Sequence, residues 1–256
     1  MTLRASFITQ QDIALFLDVD GTLIEIANSP DAVKVPASLR NTLELAAAHE
    51  AGAMALISGR KLGELDRLFA PSVFPAAGQH GFERRDAMGN ITRPTVDTSG
   101  LQMARNVLAS LVNRHPGLLL EDKGSGLALH YRNVPNLQAS LQELMSELLI
   151  PLAPMFELKP GKYVLELTPA GFSKRTAIQA FMQETPFAGR TPVFVGDDVT
   201  DEDGFAAVNA LGGYSIRVGS EAAPHSAARY QFSSVSAVIA WLRERNISGA
   251  ALSRQI

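Results

Sequence analysis

The hydrophobic and polar positions alternate in a repeating way: a short apolar run ends in polar residues, and a longer segment with apolar residues at helical spacing follows. The first run, Ile13 to Leu17, is followed at once by Asp-Val-Asp-Gly-Thr. A run so short and uninterrupted predicts a strand buried on both faces. Pro36 to Glu50 carries Leu39, Leu43, Ala46 and Ala47 on one stripe, with proline suited to a first turn and Gly52 as the stop, so a helix is expected there. Ala53 to Arg60 repeats the strand with the polar tip Ser58-Gly59-Arg60, and Leu62, Leu65 and Leu68 mark the next helix. Ala76 to Arg85 is the last stretch of this layer, with His80 between Gly78 and Gly81 expected to hold its loop. Single strands alternating with helices imply a parallel sheet.

Between Arg93 and Ala170 the pattern changes to helices followed by paired strands. Leu101, Ala104, Leu108, Leu111 and Val112 predict one helix, and the strands after it turn at Lys123-Gly-Ser-Gly. Leu137, Leu141, Leu144, Met145 and Leu148 predict a second helix, followed by the hairpin F-E-L-K-P-G-K-Y-V-L-E-L. From Ser173 the first pattern returns. A helix to Glu184, a strand ending in G-D-D-V-T-D-E-D, a helix through Phe205 and Val208, a strand from Tyr214 to Val218 and a closing helix through Val235, Val238, Ile239 and Leu242 complete the chain. The expected fold is α/β: a doubly wound parallel-sheet core, residues 1–92 and 171–256, interrupted by an inserted α+β module, residues 93–170.

Composition narrows the function classes. With 46% hydrophobic residues, 19% charged residues and a net charge of −3, the chain reads as globular, with no electrostatic case for nucleic acid or an anionic membrane as partner. No apolar run approaches the roughly 20 residues of a spanning helix, and the first residues lack a signal-peptide core, so a cytoplasmic location is expected. Zero cysteines exclude disulfides, thiol nucleophiles and thiolate metal sites, leaving oxygen or imidazole for any metal.

Candidate chemistry gathers at the strand tips. In an open parallel sheet, ligands bind beyond the carboxyl ends of the strands, where strand order reverses. Asp18 and Asp20, two apart on an extended chain, would share a face, which suits a metal or an acid/base pair alike. Ser58 to Arg60 and Asp197, Asp198 and Asp201 end two other strands, and Lys174 lies near a helix start. Each alone is more often a turn, a cap or a solvated charge. Together they supply carboxylates for a hard cation, a hydroxyl and an ammonium for an anion, and an acid to move protons. In the inserted module, Glu121 and Lys123, and likewise Lys162 and Glu166, are spaced to share a strand face, a pattern that ordinarily means a solvated surface.

The four motifs Asp18-Val-Asp-Gly-Thr, Ser58, Lys174 and Gly196-Asp-Asp-Val-Thr-Asp, in that order, resemble the haloacid dehalogenase-like (HAD-like) phosphohydrolases, whose core is Rossmannoid. Ser58 to Arg60, Gly78 to Glu83, Glu121 to Arg132, Lys162 to Pro169 and Gly196 to Glu202 further resemble the signatures of the trehalose-phosphatase family, and these reach into the inserted module, or cap. Arg175 departs from the glycine that commonly follows the motif lysine, while the lysine itself is kept.

The resemblance implies hydrolysis of trehalose 6-phosphate, the last step of trehalose biosynthesis, with Mg²⁺. It makes Asp18 the nucleophile that forms an aspartyl-phosphate and Asp20 the acid, then base. Ser58 and Lys174 bind phosphoryl oxygens, and the metal is held by Asp18, Asp197 and the Asp20 carbonyl. Asp201 orients Lys174 or stands in the metal's outer shell, and Asp198 stands behind the ligands. Arg60 contacts substrate or cap, the Gly81 backbone lies near the ligand, and Glu121, Lys123, Lys162 and Glu166 bind the distal glucose. Arg132 reaches the phosphate or the nearer sugar. The expected partner is this small sugar phosphate, and the expected form is a monomer or an associate of a separate trehalose-phosphate synthase. A phosphatase for another sugar phosphate, such as sucrose 6-phosphate, or a silent sugar-phosphate sensor are the alternatives.

Overall fold

The computed structural model describes residues 12–26, 33–220 and 225–252, with side chains to residue 246 in the last helix; the N-terminal stretch judged for a signal peptide lies outside them. The strands are β1 (Ile13–Leu17), β2 (Met54–Ile57), β3 (Ala76–Gly78), β4 (Glu83–Arg85), β5 (Ile91–Thr92), β6 (Leu119–Asp122), β7 (Leu127–His130), β8 (Phe156–Gly161), β9 (Val164–Pro169), β10 (Thr191–Gly196), β11 (Tyr214–Val218) and β12 (Tyr230–Phe232). The helices are α1 (Ala37–His49), α2 (Leu62–Phe69), α3 (Leu101–Arg114), α4 (Gln138–Leu149), α5 (Lys174–Phe181), α6 (Glu202–Ala210) and α7 (Val235–Leu252). The chain divides into two compact units. One takes in the described parts of Met1–Arg93, Ser173–Asp197 and Asp201–Ile256, and the other Pro94–Phe172 with Asp198–Thr200.

The first unit holds an eight-stranded sheet in the order β12-β11-β10-β1-β2-β3-β4-β5. Pairing is parallel from β12 through β3 and antiparallel at β4 and β5. The predicted burial of β1 on both faces is what the packing gives. Ile13, Leu15 and Leu17 join a core with Leu39 and Leu43 of α1, Leu62 and Leu65 of α2, and Trp241 and Leu242 of α7. Ala14 and Phe16 enter a second core with Ile178 and Phe181 of α5 and Phe205 and Val208 of α6. Each fully buried Leu, Ile or Phe contributes about 1.5–3 kcal/mol of transfer free energy, so both faces anchor this strand. Strands β5 and β12 span only Ile91–Thr92 and Tyr230–Phe232, too short to announce themselves by periodicity.

Strand order reverses beside β1, because the chain proceeds from β1 to β2 on one side and returns through β10 on the other. Leu17 pairs with Val195 of β10 and with Leu56 of β2, so the three strands end level. Their polar tips therefore emerge together at the switch point, where this topology leaves a crevice.

The second unit is an antiparallel sheet in the order β6-β7-β9-β8. Leu127, Leu129, Leu165 and Leu167 pack against Leu101, Ala104 and Leu108 of α3 and Leu141, Met145 and Leu148 of α4. On the opposite face the register places Glu121, Ala128, Glu166 and Lys159 in one row. One face is thus core and the other is polar, the alternation expected of antiparallel strands covered on one side.

Candidate active site

Asp18 follows β1 directly, and its backbone N–H donates to the Val195 carbonyl at 2.9 Å, which continues the β1–β10 ladder to the acid itself. The Asp18 side chain is almost fully buried and accepts from Lys174 Nζ at 2.7 Å. Lys174 opens α5, a helix started by a reciprocal cap: Ser173 Oγ accepts the Thr176 N–H at 3.3 Å and Thr176 Oγ1 accepts the Ser173 N–H at 3.0 Å. The same ammonium donates to Asp201 Oδ1 at 2.6 Å, while Asp201 Oδ2 accepts the Asp197 N–H at 2.9 Å. Asp201 is fully buried and so joins Lys174 to the loop that carries Asp197.

Two glycines make room for this group. A Cβ on Gly196 would lie 2.3 Å from Asp201 Cγ, and a Cβ on Gly21 would lie 2.1 Å from Asp197 Oδ2. Gly21 also has φ +86, a conformation that costs L side chains roughly 1–2 kcal/mol. Gly21→Ala is therefore expected to push the Asp197 carboxylate away. Phosphate release should fall about 10²-fold, the usual scale for a misplacement near 1 Å, and thermal melting of the same variant should show the backbone cost.

Oxygens of Asp18, Asp197 and Asp201 lie within 4.8 Å of one another, and Lys174 pairs with two of these acids, Asp18 and Asp201. Burial, and then repulsion from Asp201 and Asp197, raise the Asp18 carboxyl well above the ordinary range in spite of Lys174. Burial alone would lower Lys174, but the adjacent Asp18 and Asp201 carboxylates outweigh it and hold the ammonium charged. A cluster of three carboxylates offering only oxygen is the donor set a hard divalent cation takes.

Ser58 follows β2, is buried, and its Oγ accepts the Arg60 N–H at 3.2 Å. The Arg60 side chain crosses to the β1 loop, where Nε donates to Asp20 Oδ2 at 2.6 Å and Nη2 to Asp20 Oδ1 at 2.7 Å. Asp18 and Asp20 thus meet different cations, Lys174 and Arg60, although the sequence spacing suggested a shared space. The loop of Gly78 to Glu83 braces this tip: the Gln79 N–H donates to the Arg60 carbonyl at 2.9 Å and the His80 N–H to the Ser58 carbonyl at 3.0 Å. His80, at φ +57 in a tight turn, makes that bond through its backbone N–H. Gly81 sits against the start of α5, where a Cβ would lie 2.9 Å from the Ser173 carbonyl, so close packing accounts for this glycine.

In the second unit, Glu166 and Lys123 are both nearly buried and form an ion pair at 2.7 Å. Glu121 faces His130 Nε2 at 2.9 Å, and although burial opposes it, that bond and the Lys123 charge leave the Glu121 carboxyl lower than usual. Lys162 lies in the turn between β8 and β9 rather than on a strand, and Lys123 lies just past the end of β6, so both strands are shorter than the spacing of these residues implies. The Lys162 peptide is held at both ends: its N–H donates to Asp198 Oδ2 at 2.9 Å and its carbonyl accepts from Arg132 Nη2 at 3.3 Å. Arg132 also lies over the Tyr163 ring at 5.0 Å. Asp198 therefore serves the turn that presents Lys162. His130 and Lys159 were not singled out from the sequence, yet both stand on the polar sheet face; the hairpin registers, once drawn, would have placed them there. Arg175 points outward and makes a loose ion pair with Asp203 at 3.7 Å, leaving Lys174 undisturbed.

A buried aspartate at the end of the central strand, a lysine from a following helix, a hydroxyl at the neighbouring tip and an acid loop on the adjoining strand define a hydrolase of the haloacid dehalogenase type. Comparisons with known proteins narrow the class. The profile of the trehalose-phosphatase family matches residues 16–236. Over 232 residues the chain is 45% identical to the trehalose-6-phosphate phosphatase of Escherichia coli, covering 90% of this chain and 85% of that one. It is also 45% identical over 206 residues to a probable trehalose-phosphate phosphatase of Sinorhizobium fredii, covering 80% of this chain and 77% of the relative. The C-terminal domain of the C. albicans trehalose-6-phosphate phosphatase has the same fold, with a TM-score of 0.84 at 22% identity over 93% of each chain. The chain belongs to the trehalose-phosphatase family and is a phosphatase.

Proposed function

We propose that the chain hydrolyses trehalose 6-phosphate to trehalose and phosphate, as the last step of trehalose synthesis in the cytoplasm, with Asp18 as nucleophile and Asp20 as acid and base. The observation that carries this reading is the buried Asp18 carboxylate at the switch point, paired with Lys174 and clustered with Asp197 and Asp201. Asp18 attacks phosphorus in line with the departing sugar oxygen, and Asp20 gives that oxygen its proton. Asp20 then takes a proton from the water that opens the aspartyl-phosphate, which restores both acids. Lys174 and Ser58 bind phosphoryl oxygens and offset the charge that would otherwise repel the Asp18 carboxylate.

Asp18 and Asp197, with the Asp20 carbonyl, would hold Mg²⁺, while Asp201 orients Lys174. Bound there, the cation supplies electrostatic stabilisation of the phosphoryl charge. The donor set fits, being three carboxylates whose oxygens lie within 4.8 Å of one another. For the sugar, Glu121 and Glu166 on the polar sheet face of the second unit offer carboxylates to accept from hydroxyls, and Lys123 just past β6 and Lys162 in the β8–β9 turn offer ammoniums to donate to them, with Arg132 beside Lys162. The trehalose 6-phosphate named in its relatives fits a site needing many hydroxyl partners. A trehalose-phosphate synthase is then the source of the substrate, and the chain acts as a monomer or in association with that synthase.

Phosphate release from trehalose, sucrose and glucose 6-phosphates, with Mg²⁺ and with excess EDTA, tests the reading. Trehalose 6-phosphate is expected to lead in kcat/KM by at least about 10²-fold, since a site built to hydrogen-bond hydroxyls penalises their absence. EDTA should silence the enzyme, and Mg²⁺ should raise its melting temperature. Equal rates on all three esters would remove the substrate assignment, and full activity in EDTA would remove the metal.

A further inference from the structure

Arg60 is the most strongly built group at the strand tips that the proposed chemistry leaves without a task. Its backbone is pinned at both peptide groups, the N–H by Ser58 Oγ at 3.2 Å and the carbonyl by the Gln79 N–H at 2.9 Å. Behind it, Glu83 is buried and accepts the Leu62 N–H at 2.6 Å and Arg93 Nη2 at 2.6 Å. A Cβ on Gly78 would lie 2.8 Å from the Arg60 carbonyl and 3.0 Å from Glu83 Oε1, so only glycine lets these segments close. Gly78, Gln79 and Glu83 thus bear on the loop that carries Arg60. From that base the guanidinium extends two parallel bonds, at 2.6 and 2.7 Å, to the two oxygens of Asp20.

We infer that Arg60 is a positioning residue for Asp20, holding its carboxyl in the plane and rotamer from which it serves the leaving oxygen. A two-pronged guanidinium–carboxylate pair fixes rotation about the carboxylate in a way a point charge does not. It occupies one lone pair on each oxygen and leaves the other on each for chemistry. This inference rests on the proposed role of Asp20. In the step concerned, the bond from Asp18 to phosphorus forms, the bond from phosphorus to the sugar oxygen breaks, and the proton on Asp20 passes to that oxygen. Arg60 neither gains nor loses a proton.

Leaving-group dependence tests the inference. A sugar alkoxide departs badly without a proton, whereas 4-nitrophenolate needs none, and kcat/KM reports only steps through formation of the phosphoenzyme. Arg60→Lys keeps the charge without the fork, and Arg60→Met keeps bulk without charge. Both are expected to lower kcat/KM for trehalose 6-phosphate by about 10²-fold, the lower range for a positioned acid. The loss on 4-nitrophenyl phosphate should be at least about tenfold smaller, with KM for the sugar phosphate nearly unchanged. Equal losses on both esters, or a loss confined to KM, would overturn the inference and make Arg60 a substrate contact. Asp20→Asn separates the two layers. If it shows the leaving-group effect and the Arg60 variants do not, the positioning role alone fails; if it shows none, the acid assignment fails beneath it. Two variants of different bulk, each checked by melting temperature, keep misfolding from imitating either result.

Discussion

Asp18→Asn is expected to lower kcat by at least about 10⁴-fold, the scale on which loss of a nucleophile is felt in other covalent enzymes, while the protein stays folded. The substitution keeps the shape of the side chain and leaves an amide oxygen that can still accept from Lys174 Nζ, now 2.7 Å from the carboxylate. It also removes one of three clustered acids, and one of the two that share the Lys174 ammonium. Relief of that crowding makes the melting temperature in metal-free buffer equal to or higher than that of the parent chain. Added Mg²⁺ should then stabilise the parent more than the variant, because the variant has lost a ligand. Phosphate release, thermal melting and acid-quench trapping of phosphoenzyme give three independent measures. Turnover within tenfold of the parent would transfer the nucleophilic role elsewhere, and a collapse of the melting temperature would show that Asp18 is needed for the fold.

The core was legible because its signals are long and physical. β1, β2, β10 and β11 read as apolar runs ending in polar tips, and their parallel pairing follows from the helices between them. The convergence of Asp18, Ser58 and Asp197 at one place was also legible, since a doubly wound sheet brings those strand ends together wherever order reverses. Side-chain partnerships were not. Nothing in the spacing of Asp18 and Asp20 says that one meets Lys174 and the other Arg60, because those partners lie 156 and 40 residues away along the chain. The same limit hid the clamp on Lys162, where Asp198 and Arg132 come from separate segments. Hairpin turns misled for a local reason: alternation of acids and bases continues past a strand's end, so Lys123 and Lys162 looked like strand residues.

Lys174→Met is expected to damage both stability and activity, and comparing it with a double variant separates the two. Lys174 lies almost wholly buried, with Asp18 Oδ1 at 2.7 Å and the fully buried Asp201 Oδ1 at 2.6 Å. Removing the ammonium leaves two buried carboxylates without their counter-charge, a change that costs about 3–5 kcal/mol when one partner of a buried pair is deleted. For a chain of this size that corresponds to a fall in melting temperature on the order of 10 °C. Adding Asp201→Asn to Lys174→Met removes one stranded charge while keeping an oxygen to accept the Asp197 N–H, a bond of 2.9 Å in the parent. Much of the lost stability should return, giving a coupling energy of a few kcal/mol in a double-mutant cycle, of the size contacting pairs show. Activity should not return, because phosphate binding at Asp18 still lacks its ammonium. Denaturant melts in metal-free buffer measure the first effect and phosphate release with saturating Mg²⁺ the second. If Lys174→Met melts with the parent, the ammonium does not neutralise the acids; if the double variant recovers turnover, the role of Lys174 is confined to holding Asp201.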